Sequence, residues 1–162
     1  MKRNLENALF IIHNKLKGKK IKWRIGGGTN LILWGINVPS NDVDIITTKT
    51  GAYDIERLLK KYVVKPVEFS ETDKFSSHFG KFKIKGIEVE VMGDLKVKVS
   101  GKWRKSSLRA TNVSHLIKSK KLIFPLNDLK QHMNAYQRIN REKDLEKIRL
   151  IKEFLESKKR LK

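Results

Sequence analysis

Asp42 and Asp44 stand one residue apart in DVDIITT, residues 42–48, a run rich in β-branched side chains that reads as a strand. Alternate side chains of a strand share a face, so the two carboxylates project together while Val43 and Ile45 turn to the opposite, buried side. Carboxylates held this close repel each other unless a cation sits between them. Hard oxygen ligands at this spacing suit Mg²⁺, which commonly combines one or two carboxylates with substrate phosphates. The same pair also arises as an acidic strand end that caps a turn, and alone it favours that plainer reading. A second acidic strand follows in GIEVEVMGD, where Ile87, Val89 and Val91 make one face and Glu88 and Glu90 the other. Beside the first strand, either glutamate would complete a three-carboxylate site. The plain alternative is a solvated face paired with Lys81, Lys83 and Lys85, which alternate in the same way.

The glycines supply what the acids lack. Glycine permits positive φ and close approach of backbone to a ligand. A glycine turn feeding a helix N-terminus aims free N–H groups and the positive end of the helix dipole at an anion. Gly26, Gly27 and Gly28 with Thr29 are therefore a candidate phosphate cradle, and Asp42 and Asp44 the holders of its metal. No Gly-Lys-Ser/Thr follows, so this is not a P-loop, and Leu31 breaks the G-x-G-x-x-G dinucleotide fingerprint.

The elements needed to position these groups are legible around them. Leu5, Ala8, Leu9, Ile12 and Leu16 fall at helical spacing over 4–17, with Gly18 as a stop. KKIKWRI reads as a strand entering the glycines, and TNLILWG as a short helix ending at Gly35. AYDIERLLKKY is an amphipathic helix, VVKPVEF a strand and SETDKFSS a loop. Residues 79–99 read as two alternating runs joined at Lys85-Gly86 and a third short run, an antiparallel meander. Residues 101–121 read as irregular and basic. From Phe124 to the end the chain reads as helical, with Asn127 or Asp128 as cap and Leu145, Ile148, Ile151 and Leu155 as an apolar stripe. The expected class is α+β: a mixed β-sheet with helices packed on one face and a C-terminal helical tail. Residues 1–105 would form the catalytic core and 106–162 a basic connector with the C-terminal helices, both parts of one compact unit.

Composition narrows the function. The 162 residues carry 37 Lys and Arg against 17 Asp and Glu, a net charge of +20, which favours an anionic partner such as nucleic acid or a polyphosphate. A charge-rich surface of the kind found in heat-stable proteins explains part of the same excess. The absence of cysteine excludes disulfides, thiol nucleophiles and Cys-based zinc sites. The apolar run ALFII is too short for a signal-peptide core, and no stretch approaches a membrane span, so a cytoplasmic location without membrane partners is expected. The four histidines have no metal-ligand spacing and read as surface or capping residues.

The order strand, Gly27-Gly28-Thr29, helix ending at Gly35, then Ser40-Asn41-Asp42-Val43-Asp44, resembles the DNA polymerase β-like nucleotidyltransferase superfamily, in particular its small stand-alone prokaryotic and archaeal members. The resemblance spans roughly residues 20–95 and continues in HFGKFKIKGIEVEVMGD, which looks like the third-carboxylate hairpin; AYQRINREKDLEKI resembles a helical end of such proteins more weakly. It implies that Asp42 and Asp44 bind metal, that Gly27, Gly28, Thr29 and Ser40 contact nucleotide, and that Glu90, with Glu88 as second choice, is the third acid. It further implies Mg²⁺ or Mn²⁺ and a nucleoside triphosphate (NTP), whose nucleoside monophosphate passes to an acceptor hydroxyl with release of pyrophosphate, the third carboxylate serving as a base. Val38 and Ser40 occupy positions where related sequences often carry Arg and Thr, so one substrate contact differs.

The acceptor is open at this point: RNA or a tRNA-like end, or a small molecule such as an aminoglycoside or lincosamide. Lys98, Lys102, Trp103, Arg104, Lys105 and Arg109 combine phosphate neutralisation with an aromatic platform, as RNA-binding surfaces do, although a solvated basic loop with Trp103 packed on the sheet fits equally. Two rivals stand beside the enzyme: a non-catalytic nucleotide- or RNA-binding module on the same fold, and a toxin–antitoxin component that nucleotidylates a partner protein or tRNA.

Overall fold

A computed structural model describes residues 1–161. Helix α1 (Arg3–Leu16) leads into β1 (Trp23–Gly26), α2 (Gly27–Trp34), β2 (Asp42–Thr47) and α3 (Lys49–Leu58). A 3-10 turn at Lys60–Tyr62 opens the strands β3 (Val63–Glu71), β4 (Phe75–Ile84), β5 (Ile87–Val99) and β6 (Lys102–Lys105). The hairpin β7 (Thr111–Ile117) and β8 (Lys120–Leu126) precedes α4 (Leu129–Ile139), a second 3-10 turn (Glu142–Asp144) and α5 (Leu145–Arg160).

The strands form one sheet in the order β3-β4-β5-β2-β1-β8-β7, with β6 on the end of β5. β2 runs parallel to β5 and β1 parallel to β8; the other pairings are antiparallel, which gives the mixed sheet that the alternating patterns imply. Ile25, Val43, Ile45, Val89 and Val91 turn to one face and bury against Leu5, Leu9 and Ile12 of α1 and Ala52 and Ile55 of α3. Phe82 lies fully inside this layer, and truncation of so buried a phenyl group typically costs about 3–5 kcal/mol. A smaller cluster joins Leu31 of α2 to Leu129 and Tyr136 of α4 and Ile151 of α5, so the C-terminal helices are anchored to the helix that follows the glycine turn.

Local chemistry explains the boundaries. Gly18 (φ +72°) and Gly35 (φ +93°) end α1 and α2 in the left-handed region, as their sequence positions suggest. Thr48 caps α3 by accepting from the Gly51 N–H at 2.9 Å, and Asp128, not Asn127, caps α4 by accepting from Lys130 and Gln131 N–H.

Five expectations need correction. Residues 101–121 are not irregular but supply β6, β7 and the start of β8. β7 is an edge strand whose inward positions mix Val113 and Ile117 with His115 and whose outward positions include Leu116 at 68% exposed, so its sequence lacks a clean apolar–polar alternation. Phe124–Leu126 ends a strand rather than opening a helix: Leu122, Phe124 and Leu126 alternate into the core, a pattern obscured by Pro125. The loop after β3 shrinks to residues 72–74, and the third run of the meander is the continuation of β5. Leu145 leaves the apolar stripe of α5 and is 59% exposed.

Candidate active site

The parallel pairing of β2 and β5 sets Asp42 opposite Glu88 and Asp44 opposite Glu90. Four carboxylates therefore share the sheet face turned away from α1 and α3. Beyond β2, β1 brings Gly26 opposite Asp44, and α2 begins at Gly27 with φ +59°. A Cβ on Gly27 would overlap Asp44 Oδ2, and one on Gly28 would stand 3.0 Å from the Ser40 side chain. The extended Gly26 would meet only ordinary contacts, at 3.5 Å from Ile46.

The hydroxyls expected to touch nucleotide are partly committed elsewhere. Thr29 is buried, and its Oγ1 donates to the Asp42 carbonyl at 2.5 Å, tying the start of β2 to α2. Ser40 Oγ lies 3.2 Å from Thr29 Oγ1 and 3.1 Å from Asp42 Oδ1. These contacts hold the aspartates against the glycine turn.

Asp44 receives no hydrogen bond among the described residues. Its carboxyl is pushed up to about 7, by burial first and then by the charges of Asp42 and Glu90, with Lys147 and Arg141 pulling the other way. On β4, Lys81 Nζ lies 3.2 Å from both Glu88 Oε1 and Glu90 Oε1, and these hydrogen bonds, Glu90 first, raise the lysine. Among the described residues no three acidic or imidazole groups converge as a closed ligand set, and both glutamates rest on Lys81 instead. The donor chemistry nevertheless fits a hard divalent cation: oxygen ligands only, mutually repelling, with Asp44 lacking any other partner. Glu90 borders both the polar cleft and the cavity beyond it, whereas Glu88 borders the cleft alone and its side chain is 54% exposed.

Cations from the far end of the chain face the acids. Asp144 is fully buried and holds Arg141 Nε at 2.7 Å and Lys147 Nζ at 3.6 Å. Arg141, Lys147 and Tyr136 thereby line the polar cleft of about 570 Å³ that also contains Gly27, Gly28, Ser40 and Asp42. The Tyr136 hydroxyl is buried without a partner among the described residues, and burial followed by the charge of Asp144 raises its pKa, so it stays a donor. Next to the cleft opens a mainly apolar cavity of about 390 Å³, floored by Ile46 and Met92 and walled by Phe75, Phe79 and Ile139.

Sequence reasoning missed Arg24, His132, Tyr136, Arg141 and Lys147. The only signal was the i, i+3, i+6 spacing of Arg141, Asp144 and Lys147, which puts all three on one side of a helical turn. His132 is not a surface residue but is 4% exposed. Asn127 N–H donates to Asn30 Oδ1, which fixes the amide so that Asn30 Nδ2 donates to His132 Nδ1 at 2.7 Å. Burial, then the Arg24 charge, depress His132 to about 3, so the ring is neutral. Of the basic residues, Lys98 Nζ sits 5.0 Å over the Trp103 ring, and Arg104 and Lys105 border a third chamber.

A glycine turn at a helix N-terminus opposite an Asp-x-Asp strand, with a further acid on the adjoining parallel strand, defines a small nucleotidyltransferase of the DNA polymerase β-like superfamily. The chain belongs to the aminoglycoside-2''-adenylyltransferase family, whose profile matches residues 8–149. It is 31% identical to a candidate nucleotidyltransferase from Thermotoga maritima, over 97% of this chain and 96% of that one, with a TM-score of 0.76. The fold also matches the antibiotic-resistance factor ANT(2'')-Ia (13% identity, 96% of this chain and 86% of that one, TM-score 0.58). The lincomycin-bound lincosamide adenylyltransferase LnuA matches at 15% identity, over 90% and 94% of the chains, with a TM-score of 0.56. No curated protein sequence matches. The protein is thus an enzyme of nucleotidyl transfer. Among the described residues no helix is long and apolar enough to cross a membrane.

Proposed function

We propose that the enzyme transfers a nucleoside monophosphate from an NTP to the hydroxyl of an acceptor bound beside Asp44 and Glu90, with Mg²⁺ (or Mn²⁺) as cofactor. One observation carries the reading: a single cleft is lined by the glycine turn, by the carboxylates Asp42, Asp44 and Glu90, and by the cations Arg141 and Lys147. Asp42, Asp44 and Glu90 would hold the metal, which when bound offsets triphosphate charge and acidifies an attacking hydroxyl. The turn N–H groups and Ser40 orient the phosphates, as a helix N-terminus does for an anion. Arg141 and Lys147, fixed by Asp144, stabilise the charge that develops on the departing pyrophosphate. Glu90 accepts the hydroxyl proton once it leaves Lys81. The bond formed joins acceptor oxygen to the α-phosphorus, and the bond broken is that to the β-phosphate oxygen.

Small-molecule acceptors are supported by the folds of ANT(2'')-Ia, seen with adenylyl-2''-tobramycin, and of LnuA, seen with lincomycin. An RNA hydroxyl is the second reading, favoured by the +20 charge and by the strip of Lys98, Lys102, Trp103, Arg104, Lys105 and Arg109. The test supplies α-labelled NTPs and Mg²⁺ with total RNA in one arm and a small-metabolite extract in another. Label should appear on an acceptor in one arm and vanish in the Asp42→Ala, Asp44→Ala double variant; an unchanged rate in that folded variant overturns the assignment.

A further inference from the structure

Arg24 is a buried guanidinium, 5% exposed, with no carboxylate within 4 Å among the described residues. Burying a charge without a counter-charge is costly, and such charges are normally paired. β1 alternation explains its place: Ile25 enters the core, so Arg24 and Gly26 face the cleft side of the sheet. Its Nε donates to the Ser107 carbonyl at 2.8 Å and its Nη2 to Ser106 Oγ at 3.3 Å. Nη1 makes no hydrogen bond among the described residues. A Cβ on Gly26 would sit 3.6 Å from it, so the missing side chain leaves space beside this free donor.

The surroundings are arranged in series. The polar cleft adjoins the apolar cavity at Asp44 and Glu90, and that cavity adjoins a third chamber of about 310 Å³ at Arg24 and Ser106. Arg104, Lys105 and Arg138 border this last chamber. Desolvation lowers Arg24 only to about 10, so it remains charged at neutral pH, and the nearby His132 is neutral and brings no opposing anion.

We propose that Arg24 is the anion-binding residue for a phosphate group carried by the acceptor, which enters through the third chamber and presents its hydroxyl at Asp44 and Glu90. This rests on the nucleotidyl-transfer reading above. The nucleotide does not meet the same need. Its phosphates belong at the glycine turn in the polar cleft, which Arg24 does not line, and its base carries no charge. Arg24 stands opposite Ile46, two residues along from the Gly26–Asp44 pair, about 7 Å at a strand's rise per residue. A compact acceptor spans that distance. The extra cations at the rim suit a dianionic phosphomonoester better than a carboxylate.

The test titrates inorganic phosphate into the protein held in saturating Mg²⁺ and a non-hydrolysable ATP analogue, which keeps phosphate off the triphosphate site. The wild type should bind one phosphate saturably, Arg24→Met at least tenfold more weakly, and Arg24→Lys between them, all with unchanged affinity for the analogue. Arg24→Lys carries the comparison should Arg24→Met fail to fold. Equal phosphate affinity in the variants overturns the proposal, as does a matching loss of analogue affinity, which would put Arg24 in the nucleotide site. Acetate binding as tightly as phosphate overturns the phosphate assignment. Glycerol 3-phosphate and a 5′-phosphorylated trinucleotide, run as separate arms, distinguish a metabolite from an RNA end; Arg24-dependent binding of either supports the proposal. Failure of the wild type to bind the analogue with Mg²⁺ tells against the nucleotidyl-transfer reading instead, and the phosphate titration without it still reports on Arg24.

Discussion

Gly27 is pressed so closely against Asp44 that any β-carbon on the glycine would occupy the space of the aspartate's Oδ2. The turn proposed to present N–H groups to phosphate and the acid proposed to present oxygen to metal are therefore one packed unit. Gly27→Ala should displace Asp44 and strain a backbone at φ +59°, at a cost of about 1–3 kcal/mol. Transfer activity should fall on the order of a hundredfold, since small misplacements at a reacting centre have that effect. Gly26→Ala, extended and in ordinary contact with Ile46, should melt within about 0.5 kcal/mol of wild type. Parallel melting curves and label-transfer rates check both; equal losses in the two variants would contradict the packing.

At the proposed metal site, Lys81 would compete with the cation for Glu90. It bridges Glu88 and Glu90 at 3.2 Å each while its own side chain is 35% exposed. Lys81→Met frees the acid and removes a repelling charge, so Mg²⁺ affinity, read by calorimetric titration, should rise about two- to tenfold at low salt. A weaker site in this variant would show that the lysine positions Glu90 for the metal rather than sequestering it.

How far the site was legible follows from the kind of signal each part sends. Asp42 and Asp44 on one face needed only strand alternation, and the glycine turn needed only its local run. Glu88 and Glu90 could not be separated, because both obey the same alternation; their difference comes from register with β2, a contact across more than forty residues. Arg141, Lys147 and Tyr136 reach the acids through helix packing against α2, which no local pattern records. The hairpin β7–β8 was masked by its own exposure: an edge strand with a solvated face and a proline-bearing partner shows little period. Arg24 read as the polar alternate of a strand, and only its burial without a carboxylate makes it notable.

His132 makes stability depend on pH in a defined direction. Its folded value of about 3 lies below the ordinary 6.5, so the unfolded chain binds the proton more readily between those values. Its contribution is fully present above about 6.5 and is lost as pH falls below it, by at most about 1.4 kcal/mol per unit. His132→Gln keeps an acceptor for Asn30 and removes the titration. The difference in unfolding free energy between wild type and variant, measured by urea titration from pH 7.5 to 4.5, should shrink or reverse as the solution is acidified. A difference independent of pH would mean that the imidazole stays protonated or solvated.

Tyr136 offers a case where activity and stability should separate. Its hydroxyl is buried with no partner among the described residues, beside Arg141 and Lys147 in a cleft it shares with the carboxylates. An unsatisfied buried hydroxyl costs about 1–3 kcal/mol, so Tyr136→Phe should leave the melting temperature unchanged or raise it. The ring still packs on Leu31 and Ile151, and Lys147 still lies 5.4 Å over it. On the proposed reaction, a donor kept protonated at this place would find its acceptor in the bound phosphate, and a hydrogen bond to a charged group is worth about 1.5–3 kcal/mol. The rate of label transfer should then fall about ten- to a hundredfold, with Mg²⁺ affinity unchanged because no metal ligand is touched. A more stable variant with full activity would leave the hydroxyl without a role at the reacting centre, and a less stable one would mean that it has a protein partner after all.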